Sequence, residues 1–189
     1  MKRSEINAAY QRAKNCFEAN GWVLPPSPKW DITDCGLNRF NEVGLVLVNL
    51  CEEPEYCEKL MYADRGQVTP LHTHKLKKED IICRSGSLSF ELWTGLPSAE
   101  ARGQTGQVQR NGEPFTFTNG EPLVIQAGER ITLPPGLYHS FWPASADTII
   151  GEVSTANDDA NDNFFVDPNI GRFPEIIEDE PALIRLLSE

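Results

Sequence analysis

Gly66-Gln67-Val68-Thr69-Pro70-Leu71-His72-Thr73-His74-Lys75-Leu76-Lys77-Lys78-Glu79-Asp80-Ile81-Ile82-Cys83-Arg84-Ser85-Gly86 holds the densest pattern in this 189-residue chain. Side chains alternate faces along a β-strand, so His72 and His74, one residue apart, point the same way and form a two-nitrogen claw. Lys75 to Lys78 make a turn, after which Glu79 returns on the next strand and adds a carboxylate oxygen to the same point. A second stretch, Gly128-Glu129-Arg130-Ile131-Thr132-Leu133-Pro134-Pro135-Gly136-Leu137-Tyr138-His139, supplies a third imidazole, and these are all the histidines of the chain. Three neutral imidazoles and one carboxylate suit a divalent transition metal, and an octahedral ion so held keeps two positions open. A lone histidine is more often an ordinary polar residue; two spaced stretches together argue for a site.

The spacing is regular. The first stretch reads Gly, five residues, His-x-His, four residues, Glu, six residues, Gly; the second reads Gly, five residues, Pro-x-Gly, two residues, His. Both resemble the paired motifs of the cupin superfamily, departing at one position, where the asparagine often found four residues past the last histidine is Pro143. The resemblance implies an all-β, cupin-type β-barrel (jelly roll), and the rest of the chain agrees. Gly44–Cys51 is apolar and β-branched, Tyr56–Tyr62 alternates and should pair with it, and Ser87–Trp93 places Leu88, Phe90 and Leu92 on one face. Leu123–Ile125 and Arg130–Leu133 lead into the second motif, and Asp147–Ser154 leads out of it. Many short strands bounded by turns describe a sandwich or barrel.

The ends differ from this middle. Ser4 is expected to cap a helix over 5–19, with Ile6, Ala9, Tyr10, Ala13 and Phe17 on one face and Asn20-Gly21 ending it. Pro25, Pro26 and Pro28 make the segment before Trp30 extended, and Asp31 to Gly36 reads as a loop. Residues 95–120 form an insertion, expected as a long hairpin. Asn157 to Asn163 is an acidic loop without the glycine turn and distant glutamate of a calcium site, and Glu180-Pro181 should start a short C-terminal helix over 182–187. The expected organisation is one domain over 1–189: helix and extended arm to residue 30, barrel over 40–155, acidic loop and tail over 156–189.

Composition excludes several classes. A net charge of −11 disfavours nucleic acid and acidic membrane as partners. Five cysteines without a Cys-x-x-Cys pair read as reduced thiols rather than a zinc ribbon, although Cys51 and Cys57 are near enough in sequence to meet. With no apolar run long enough for a bilayer and no secretory signal pattern at the N-terminus, the expected location is the cytoplasm.

The metal claw alone does not choose a reaction. Lys75, Lys77 and Lys78 are either a solvated turn or groups that reach substrate oxygens. Asp80 should face away from Glu79, while Glu152, following Ile149-Ile150-Gly151, should share a face with Ile150 and Ser154 and come to the metal or the barrel mouth. Trp30-Asp31-Ile32-Thr33-Asp34, the block from His72 to Ile82, Gly151 to Asp159 with Asp162-Asn163, and Gly171 to Glu180 together resemble the D-lyxose ketol-isomerase family of cupins. The likeness runs from about Trp30 onward. It implies a manganese-dependent aldose–ketose isomerase interconverting D-lyxose with D-xylulose, and D-mannose with D-fructose, through an enediol. Zinc, cobalt or iron(II) are further ions that such ligands accept. The resemblance assigns His72, His74, Glu79 and His139 to the metal and Lys77, Glu152 and Asp162 to catalysis, and it implies a homodimer acting on a small sugar. Alternatives are a cupin phosphosugar isomerase, a metal-dependent dioxygenase, and a sugar-binding cupin without catalysis.

Overall fold

The structure, a computed structural model, describes residues 1–155, 157–158, 161–170 and 175–189. Helix α1 (Arg3–Ala19) comes first, followed by β1 (Lys29–Thr33), β2 (Leu45–Glu52), β3 (Tyr56–Ala63) and the two-residue β4 (His72–Thr73). The chain continues through β5 (Glu79–Ser85), β6 (Ser87–Trp93), β7 (Thr105–Arg110), β8 (Glu113–Thr118), β9 (Leu123–Gln126) and β10 (Arg130–Leu133). It ends with β11 (Tyr138–Pro143), β12 (Thr148–Thr155) and β13 (Phe164–Phe165). An eight-stranded sheet in the order β1-β2-β3-β12-β5-β10-β7-β8 faces a five-stranded one in the order β13-β4-β11-β6-β9, every pairing antiparallel. This is the expected all-β jelly roll, open between the two sheets rather than closed into a continuous ring.

The large sheet is buried on both faces, which explains the apolar run of β2. Val46 and Val48 turn outward to α1, while Leu45 and Leu47 turn inward. On the outer side Ile6, Ala9, Ala13 and Phe17 pack with Trp30, Ile32, Leu60, Tyr62 and Ile149. Tyr10 meets the Trp30 ring edge-on at 4.9 Å and Phe17 stacks on it at 6.2 Å. Burying a side chain the size of Phe17 contributes about 1.5–3 kcal/mol. Between the sheets, Met61, Ile81, Cys83, Ile131 and Ile150 meet Leu88, Phe90, Leu92 and Phe141.

Several local expectations change. Helix α1 begins at Arg3 with Lys2 at its cap, and the Ser4 hydroxyl instead donates to Asp179. The earlier start follows from Arg3, which is 1% exposed and clasped by the carboxylates of Glu178 and Glu189. Asp31 to Thr33 is strand rather than loop, because alternation sends Trp30 and Ile32 to the helix side and leaves Asp31 and Thr33 inward. The loop begins after them, through Cys35 and Gly36, both at positive φ.

No helix forms over 182–187. Leu186 bridges Trp30, the Leu187 amide donates to the Trp30 carbonyl, and the Asn7 side chain binds the Pro181 carbonyl and the Leu183 amide. Six residues cannot offset helix nucleation against partners that hold the backbone extended. The insertion is the expected hairpin, β7–β8, turned at Asn111-Gly112 with both residues at positive φ, as a two-residue hairpin turn requires. The Gly171–Pro174 part of the family-like stretch and Asp159 lie outside the described residues. All five cysteines are free thiols.

Candidate metal centre and active site

The histidines meet because register brings them together. His72 of β4 pairs directly with His139 of β11, and their rings lie 4.2 Å apart between centroids. His74 follows two residues on, and its ring is 5.0 Å from His72 and 5.6 Å from His139. Glu79 opens β5 in the opposite sheet and reaches across, its Oε1 lying 2.9 Å from His139 Nε2 and 3.6 Å from His74 Nε2. One ligand atom from each of the four residues lies within 4.8 Å of the others.

Each ring is held by its far nitrogen. His72 Nδ1 is 2.8 Å from the Pro70 carbonyl, His74 Nδ1 is 2.6 Å from the Asp162 carbonyl, and His139 Nδ1 is 3.3 Å from the Leu137 carbonyl. A carbonyl only accepts, so Nδ1 carries the proton and Nε2 presents a lone pair to the common point. His74 Nε2, His139 Nε2 and Glu79 Oε1 are buried there without a hydrogen-bond partner. Orphaned buried acceptors are costly, and three converging on one point fit a bound cation. Charge states agree with this. Burial, and then the His139 and His74 rings, push His72 well below its ordinary range, so it is neutral. Burial pushes Glu79 up, but the Lys77 ammonium and the His139 and His74 rings outweigh it and hold the carboxyl well below its usual range.

A second set of charges adjoins the ligands. Lys77 Nζ lies 2.9 Å from Glu79 Oε2 and 3.1 Å from Glu152 Oε1, and all three side chains are buried. Lys59 Nζ is 3.6 Å from the same Glu152 oxygen and donates to Asn157 Oδ1 at 2.8 Å. Glu152 shares the inward face of β12 with Ile150 and Ser154, as alternation requires, and Asp80 faces away, bonded to the Thr132 hydroxyl and to Arg130. His72, Lys77, Glu79, Glu152 and Lys59 line one cavity of about 210 Å³. Phe165 closes part of it, its ring 5.5 Å from that of His72.

Asp162 has a different placement. Its carboxylate accepts from the amides of Lys75, Leu76 and Lys77 at 2.8–3.2 Å, and it is absent from the cavity wall. Burial pushes this carboxyl up, and the three amides outweigh burial and lower it. The catalytic role expected of Asp162 therefore meets a carboxylate already filled by backbone donors.

Lys59, Asp31 and Thr33 line the cavity without belonging to either motif. Lys59 had a readable signal: it shares strand parity with Met61, an inward position that an unpartnered lysine would avoid. Asp31 and Thr33 lie in a family-like stretch that reads as a loop in the sequence, and the pairing of β1 with β2 turns them inward.

The model of a family described as D-lyxose isomerase matches residues 28–189. A D-lyxose/D-mannose isomerase of Escherichia coli O157:H7 is 37% identical over all of this chain and 98% of its own length. One from Serratia proteamaculans is 39% identical over 96% of this chain and 94% of its own length. Among solved structures, the L-ribose isomerase of Cellulomonas parahominis superposes with a TM-score of 0.66 over 90% of this chain and 94% of that one. At 17% identity, that likeness speaks for the fold.

Proposed function

The chain belongs to the D-lyxose isomerase family, and from that premise we propose that it interconverts D-lyxose with D-xylulose, and D-mannose with D-fructose, at the cavity beside the His72, His74, Glu79 and His139 cluster. Those four residues would hold one divalent ion, with manganese as the proposed native metal. Bound there, the ion supplies Lewis acidity to sugar oxygens.

The protein's own groups carry the proton. Moving a carbonyl from C1 to C2 takes a proton from C2, forms an enediol, and returns a proton to C1. Glu152 is the proposed carrier, because it is the buried carboxylate in the cavity outside the ligand set and an ammonium stands on either side of it, Lys77 at 3.1 Å and Lys59 at 3.6 Å. Lys77, held between Glu79 and Glu152, can donate to the sugar oxygens as charge develops on them. Leu45, Leu47 and Phe165 cover the cavity with apolar surface that limits water around the enediol.

The single observation that carries the reading is the buried Lys77–Glu152 pair beside the orphaned His74 and His139 nitrogens and the orphaned Glu79 oxygen. The cations on the cavity wall are Lys59 and Lys77, and no arginine lines it among the described residues, which favours a neutral sugar over a phosphosugar. The test is a panel of free and phosphorylated sugars with Mn²⁺ in deuterated water. Deuterium at C2 of D-lyxose and D-mannose is expected. Exchange of phosphorylated sugars alone would move the reading to a phosphosugar isomerase, and pentose binding without exchange to a sugar-binding cupin.

We further propose a cytoplasmic homodimer. Among the described residues, no helix is long and apolar enough to cross a membrane. The apolar stripe of α1 is covered by the chain's own sheet, so the contact would use another surface.

A further inference from the structure

The two-residue strand β4 has little hold of its own, yet it presents His72 and leads into His74. It lies between β11 on one side and β13 on the other. On the β13 side runs a strap, 161–170, which contributes Asn163, Phe165 and Ile170 to the cavity wall. Phe164 and Phe165 pair with Thr73 and His72, and the Val166 amide donates to the Leu71 carbonyl. Lys75 Nζ sits 4.1 Å over the Phe164 ring.

Asp162 stands where this strap meets the turn that carries Lys77. Its Oδ1 accepts from the Lys75 amide at 2.8 Å and its Oδ2 from the Lys77 amide at 2.8 Å, with the Leu76 amide between them at 3.1–3.2 Å. The main-chain carbonyl of the same residue accepts from His74 Nδ1 at 2.6 Å. One residue thus fixes the ring of a proposed ligand and the backbone that aims the Lys77 ammonium at Glu79 and Glu152.

We infer that Asp162 is a positioning residue that clamps the strap to the metal-bearing strand, setting His74 for the ion and Lys77 for the sugar, and that it takes no part in proton transfer. An asparagine at this place keeps one acceptor and turns an NH₂ group against backbone N–H donors. The clamp opens at nearly constant volume. Partners that orient metal ligands are worth about 10–100-fold in metal affinity.

The test measures Mn²⁺ affinity of Asp162→Asn and parent by competition with a chelating dye, together with thermal stability and amide hydrogen exchange. The clamp predicts Mn²⁺ binding weakened about 10–100-fold, faster exchange at Leu76 and Lys77, and turnover that excess Mn²⁺ restores in part. Phe17→Ala, which acts on the far side of the sheet, should lower thermal stability and leave Mn²⁺ affinity within about threefold. Unchanged Mn²⁺ affinity and amide protection in Asp162→Asn, with or without loss of kcat, would overturn the clamp. Should Asp162→Asn not fold, the parent provides the second measurement: the Lys77 amide is protected, and Mn²⁺ protects it further because coupling is reciprocal. An unprotected amide, or one indifferent to Mn²⁺, would also overturn it. The kcat arm rests on the isomerase reading and the metal arm does not. A parent that binds Mn²⁺ yet exchanges no sugar proton would sink the isomerase and leave the clamp standing.

Discussion

The two faces of β2, β3 and β12 are made of alternate residues of the same strands, yet they meet opposite demands. Outward, Val46, Val48, Leu60, Tyr62 and Ile149 close against α1 with apolar surface. Inward, the same sheet carries Lys59, Glu79 and Glu152, buried charges within 4 Å of one another in sequence from Lys59 through Glu152 and Lys77 to Glu79. One face supplies stability, while the other spends some of it to hold charge out of water. Substitutions on the two faces should therefore separate: outward ones change stability and spare the metal, inward ones change metal or turnover.

The largest effect is expected from the ligands. His72→Ala combined with His139→Ala should abolish bound metal and detectable isomerisation, as measured by metal analysis and sugar turnover, since two of four ligands are gone. Full metal occupancy in that variant would break the comparison on its inward side. Glu152→Gln comes next. It keeps volume and fold, so bound metal should persist while kcat for D-lyxose falls about 10²–10⁴-fold, as for loss of a general acid/base. A variant within a few-fold of the parent would shift attention to Lys77.

On the outward side, Phe17→Ala should cost about 3–5 kcal/mol of stability in denaturant unfolding. Metal affinity of the folded protein should not follow. A smaller, pH-dependent effect is expected where α1 meets the tail. Hydrogen bonds from Arg3 lower the carboxyls of Glu178 and Glu189. A carboxyl lowered in the folded state stabilises above its unfolded pKa, and the contribution is lost as pH falls through the folded one. Thermal stability should thus decline between about pH 5 and pH 3 more steeply in the parent than in Arg3→Met. Equal slopes would remove the clasp from the account.

The inward face was legible in part. His72, His74, Glu79 and His139 could be read because a period of two and a fixed turn length are local properties. Glu152 followed from parity along its own strand. Lys59 was missed as a neighbour of Glu152, because the pairing of β3 with β12 places them side by side and no local pattern encodes that register. Asp162 was found as a residue, but its carboxylate is filled by a turn some 85 residues earlier, a contact that no local pattern encodes. The outward face taught the converse. Ala182 to Leu187 has helical composition, but Asn7 and Trp30 claim its backbone, and tertiary partners outweigh propensity.

The most direct measurement is exchange of the C2 proton of D-lyxose in deuterated water, run with chain stripped by a chelator and again after Mn²⁺ is added in steps. The account predicts no exchange from the stripped protein and recovery that is complete at one equivalent of Mn²⁺ per chain. Exchange that persists in the stripped protein, or that Mn²⁺ fails to restore, would contradict it.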